Sequence, residues 1–122
     1  MAVVMKKFSP PNSVVAIMDR LFGMPGQFKL GKIISDTETC VTVGTKMEYD
    51  GETTFVMGPR AELTPVGELR FRGRIQTPNM SVAICDVSLT AILELSVSGT
   101  STAIEVWSNA ESEPDQVTVI VD

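Results

Sequence analysis

The residues of this 122-residue chain best placed to do chemistry are three arginines at every second position, Arg70, Arg72 and Arg74, and one carboxylate, Asp86. On a strand, that alternation puts the three guanidinium groups on one face, about 7 Å apart. Such a row could track a phosphate backbone or hold carboxylates. Single-strand nucleic-acid binders interleave their basic residues with aromatics that stack on bases. Here Phe71 is the only aromatic on the strand and points to the opposite face, and Leu-Arg-Phe-Arg-Gly-Arg does not fit the ribonucleoprotein strand pattern. The row therefore reads as a protein-contact surface or as a face paired within the fold. Asp86 interrupts the apolar stretch Val82-Ala83-Ile84-Cys85. A buried carboxylate with a raised pKa could act as a general acid. The plainer reading puts it at a strand end, bonding local backbone.

Other catalytic equipment is missing. With no histidine, the chain lacks the usual general base, the commonest metal ligand and any Ser-His or Cys-His nucleophile pair. Gly23-Met24-Pro25-Gly26 is not followed by the Gly-Lys-Ser/Thr of a phosphate loop. Asn109, Glu111, Glu113 and Asp115 alternate like calcium ligands, but without the glycine turn and terminal glutamate of an EF-hand, so they read as a solvated acidic loop. Cys40 and Cys85 lack metal spacing and are expected as reduced core thiols. The chain is expected to be no enzyme and to hold no metal or cofactor.

Charge narrows the partner. A formal net charge of −5 disfavours nucleic acid, whose non-specific affinity comes from surplus cations. Residues 1–74 hold 10 basic and 8 acidic groups, a net of +2, whereas residues 75–122 hold none and 7, a net of −7. This polarity could be satisfied internally, the Arg strand lying beside strands bearing Glu94 and Glu105. It could equally drive head-to-tail contact between copies, or capture of a basic protein. No apolar run is long enough to span a bilayer, and the order Met-Ala-Val-Val-Met-Lys-Lys is the reverse of a secretory signal. No membrane partner is expected, and the location reads as cytoplasmic, or virion for a viral component.

The elements that must position these residues follow from periodicity. Val14, Ile17, Met18 and Leu21 recur at helical spacing between Pro10-Pro11-Asn12-Ser13 and Gly23, predicting one helix over about 13–22. From about residue 27 to 121 the period is two, predicting about eight strands. Asp50-Gly51 suggests a two-residue hairpin whose strands carry apolar residues on both faces, Phe55 and Met57 among them. Residues 1–122 then form a single mainly-β domain, an antiparallel sandwich or barrel.

Two functions follow. One is a structural subunit acting through protein–protein contacts, such as a viral tail or capsid accessory component. The other is an acidic intracellular inhibitor or immunity-type protein that binds a basic enzyme. The expected interaction surface comprises Arg70, Arg72, Arg74, Phe55, Met57, Glu111, Glu113 and Asp115. A barrel holding a small apolar ligand is the third reading.

Overall fold

Short β-branched runs separated by Gly, Pro, Asn and Asp are too brief for helices and suit pleated strands buried on one or both faces. The computed structural model describes residues 3–25 and 34–122, and places ten strands in them. They are β1 Val4–Phe8, β2 Val14–Met18, β3 Ile34–Asp36, β4 Cys40–Gly44, β5 Thr53–Pro59, β6 Glu68–Gln76, β7 Ser81–Cys85, β8 Ala91–Ser96, β9 Ser101–Ser108 and β10 Gln116–Val121. Sheet I has the order β1-β5-β10-β9-β6 and sheet II the order β3-β4-β2-β7-β8. Neighbours are antiparallel except β5 and β10, which run parallel. The expected mainly-β sandwich is what forms. The expected start of the strands at about residue 27 lies outside the described residues.

The core fills the space between the sheets. Phe55, Met57, Ile75, Ile104, Val106, Val117 and Val119 from sheet I meet Val15, Ile17, Val41, Val43, Val82 and Ile84 from sheet II. A second, thinner cluster of Ala16, Met18, Cys40, Ala83 and Cys85 covers the outward side of sheet II. The chain after β2 passes close over this side: a Cβ added to Gly23 would lie 2.5 Å from Met18 Cβ.

Two local expectations are corrected. Residues 14–18 form β2, not a helix. Five consecutive apolar residues, three of them β-branched, fit a central strand buried on both faces as well as a helical stripe, and periodicity alone does not separate the two. Asp19 ends the strand, and its carbonyl takes the Gly23 amide at 2.7 Å, so Gly23 closes a turn rather than capping a helix. The Asp50-Gly51 hairpin is also absent. β4 belongs to sheet II and β5 to sheet I, so residues 45–52 carry the chain between sheets, through the 3-10 turn Glu48–Asp50 and Gly51 at φ 119°. Phe55 pairs with Lys6 and Val117, and Met57 with Val4 and Val119.

The link from β5 to β6 shapes the outside of sheet I. These parallel strands are separated by β10 and β9, so residues 60–67 must cross the outward face. Ile120 and Thr118 point to that face yet are each 1% exposed. Gly67, at φ 92°, ends the crossing hard against the Ser108 carbonyl.

Candidate functional site

The arginine row lies on β6, an edge strand, as its alternation predicts. Each guanidinium finds a partner on β9. Arg70 Nε donates to Ser108 Oγ at 3.0 Å, Arg72 Nε to Glu105 Oε2 at 3.1 Å, and Arg74 donates to Ser101 Oγ and O at 3.0 and 2.9 Å. The pairing with Glu105 was anticipated. Glu94 lies on β8 in the other sheet, where it meets Arg20 at 3.7 Å.

Glu105 is the hub of the outward face of sheet I. It is 6% exposed and accepts from Trp107 Nε1 at 3.0 Å, from Arg72, and from Arg60 at the start of the crossing segment. Arg60 also reaches Asp122 at 3.3 Å. The Trp107 indole, then the two guanidiniums, hold the Glu105 carboxyl below the usual carboxylate range, against the opposing effect of burial. Trp107 and Glu105 are two residues apart on one strand and so share a face, a signal present in the sequence. Nothing in the sequence brings Arg60 to them. This cluster clamps a crossing segment.

The linear charge polarity is thus partly neutralised within the fold. Of the seven acidic residues after Arg74, Glu94, Glu105, Asp115 and Asp122 meet cations from the first half of the chain, Asp115 reaching Lys46 at 3.9 Å. Asp86, Glu111 and Glu113 form no ion pair among the described residues.

Strand registers gather these carboxylates at one end of the sandwich. Phe8 faces Thr53, Val14 faces Gly44, Glu68 faces Ser108 and Val117 faces Ser108, so the loops at residues 9–13, 45–52, 66–68, 86–90 and 109–116 share that end. Backbone bonds tie them: Lys46 N to Pro114 O at 3.0 Å and Thr54 N to Asp115 O at 2.8 Å. Ser9 Oγ donates to Gly51 O at 3.0 Å, and Glu48 Oε1 accepts from Asn12 N at 3.1 Å. Among the described residues the shared end carries eight carboxylates, Glu48, Asp50, Glu52, Glu68, Asp86, Glu111, Glu113 and Asp115, of which Glu68 meets Arg70 at 3.4 Å and Asp115 meets Lys46. Among them stand exposed apolar side chains: Met47, Val66, Val87, Leu89, and Tyr49 at 90% exposure.

The expected surface residues divide accordingly. Glu111, Glu113 and Asp115 lie on this acidic end, whereas Arg70, Arg72 and Arg74 lie along the sheet I edge. Phe55 and Met57 are fully buried in the core, because β5 packs inward; they present no surface. Asp86 caps its own turn, its Oδ1 accepting from Ser88 N at 2.9 Å and Thr90 N at 3.1 Å. Cys40 and Cys85 are free and buried, which raises their pKa values to about 12 and about 11. Among the described residues no group of three or more Cys, Asp or Glu could hold a metal ion, and no helix is long and apolar enough to cross a membrane.

No family model and no curated protein matches the chain. Among solved structures, it is similar to ComJ of Bacillus subtilis, an inhibitor of the DNA degrading activity of NucA. That likeness covers 99% of this chain and 98% of the other, with a TM-score of 0.61 and 7% identity. At this identity it shows a shared fold.

Proposed function

We propose that this protein acts by contact with another protein, as an inhibitor or immunity-type partner that engages a basic enzyme through the acidic end of its sandwich. The observation that carries this reading is the collection of eight carboxylates at that end among the described residues, of which only Glu68 and Asp115 form ion pairs. Opposed potentials of this kind steer encounter and suppress wrong partners. An enzyme that handles nucleic acid fits this surface best, since it must itself display surplus cations. The whole-chain fold likeness to a nuclease inhibitor points the same way. The assembly-subunit reading has lost two of its supports. Phe55 and Met57 are core residues, and the arginine row and four late carboxylates are paired within the chain.

The test is association with, and inhibition of, a cationic endonuclease encoded in the same genome, measured with the double variant Glu111→Lys, Glu113→Lys. Both side chains are exposed, whereas Asp115 is kept because it braces Lys46 and Asn109. The variant should associate about tenfold or more slowly at low salt, with the difference shrinking as salt rises. An unchanged rate at low salt would refute contact through this end.

A further inference from the structure

A groove runs along the outward side of sheet II where that sheet meets the acidic end. Val14, Ala16 and Thr42 form its floor, the β7–β8 turn with Asp86, Val87 and Leu89 forms one wall, and Pro25 stands across from it. The space is about 160 Å³, room for one aliphatic side chain. On its floor Ala16 and Thr42 are 5% and 4% exposed and Val14 is half-buried, so the open apolar surface is mainly that of Val14, Val87 and Leu89.

The wall is built at a conformational cost. Leu89 sits at φ 61° and is 44% exposed. A turn that needs this left-handed backbone is best served by Gly or Asn, and a bulky residue there is strained. Leu89 recovers little of that cost by burial in this chain. Beside it, Asp86 commits Oδ1 to two turn amides, while Oδ2 takes neither.

We infer that this groove seats an apolar side chain of the basic partner, with a flanking cation of the partner meeting Asp86. The inference rests on the inhibitor reading and deepens it by naming what the partner inserts. Charge selects the occupant. A second copy would bring its own carboxylate-rich end against this one, and like charges repel. A partner segment with cations on either side of a leucine or similar residue satisfies both the apolar floor and the acidic lip.

The test uses the full chain and three peptides followed by amide chemical shifts: acetyl-Lys-Lys-Leu-Lys-Lys-amide, its Ser-for-Leu version, and acetyl-Gly-Gly-Leu-Gly-Gly-amide. The cationic leucine peptide should shift Ala16, Asp86, Val87 and Leu89 and bind about tenfold more tightly than either control. Leu89→Gly should abolish that advantage while leaving the thermal midpoint equal or higher, because it relieves the backbone. Equal binding of both cationic peptides, with shifts confined to residues 48–52 and 111–115, overturns the groove and leaves the acidic-end reading standing. Equal binding of the neutral leucine peptide overturns the assignment of a basic partner to the groove. Absence of shifts with every peptide overturns the groove, while the acidic-end reading stands or falls on the Glu111→Lys, Glu113→Lys association rate. A lowered midpoint for Leu89→Gly makes Leu89 a structural residue and removes the strain argument.

Discussion

Replacing Gly67 by alanine should damage this fold more than any other single methyl group added to an exposed loop. Its φ of 92° belongs to a region that L side chains rarely adopt, which costs about 1–3 kcal/mol. A Cβ there would lie 2.0 Å from Ser108 O and 2.4 Å from Ser108 C. Real contacts need at least 3.0 Å, and both atoms are backbone, so the crossing segment and β9 must part by about 1 Å. Overpacking of that kind costs about 1–3 kcal/mol. The shift also pulls Arg70 from Ser108 Oγ, a bond worth about 1 kcal/mol. Together the loss is about 3–7 kcal/mol, and the thermal midpoint should fall by roughly 10–30 °C. Gly99→Ala is the control. Its nearest atom is Ser101 O at 3.4 Å and its φ is not positive, so it should change stability by about 0.5 kcal/mol or less. Thermal and urea unfolding followed by far-UV circular dichroism measure both. A Gly67→Ala loss below about 1 kcal/mol, or equal losses for the two variants, would show that the close approach at Ser108 does not anchor the crossing segment.

Further outcomes follow from the buried polar groups. Glu105 is held below its ordinary value near 4.5, so its contribution is complete above that pH and is lost as pH falls through the folded-state value. Acid titration of stability should therefore be flatter below pH 4.5 in Glu105→Gln than in the parent, and parallel curves would refute the hub. Thr53 Oγ1 has no hydrogen-bond partner among the described residues and the residue is 0% exposed, so Thr53→Val should gain about 1 kcal/mol in urea unfolding. A loss instead would reveal an unseen partner. Cys40 and Cys85, raised to about 12 and about 11, should resist a thiol reagent at pH 8 until the chain is unfolded. They should not cross-link, because β2 lies between their strands and separates the backbones by about 10 Å, beyond disulfide reach.

What could be read from the sequence was what neighbours along one strand determine. Arg70, Arg72 and Arg74 alternate with Leu69, Phe71, Gly73 and Ile75, and period two alone assigns their faces. The class of the fold follows from the same patterning. The misread elements needed information from distant residues. Val14 to Met18 is a strand because β4 and β7 flank it, and that flanking is invisible in five apolar letters. Asp50-Gly51 is a turn, as its residues demand, but whether a turn returns the chain to the same sheet or to the opposite one is a tertiary choice. Glu111, Glu113 and Asp115 were legible as an acidic loop. Their convergence with Glu48, Asp50, Glu52 and Asp86 was not, since the chain separation spans most of its length.

The position of β10 has a consequence for how the protein is made. Of the ten strands this one is synthesised after the other nine, yet it lies between β5 and β9 and supplies Val117, Val119 and Val121 to the core. Sheet I cannot close until it arrives. At ordinary rates of synthesis, the residues between β5 and β10 take roughly 3–12 s to emerge, during which β5 keeps an open edge. A fragment ending before residue 116 should therefore leave sheet I split, with β5 and β9 unpaired on their facing edges. Because the loop at residues 109–116 is also the last described part of the acidic end, a fragment ending before it lacks Glu111, Glu113 and Asp115. The strand that closes sheet I thus also completes the charge of that end.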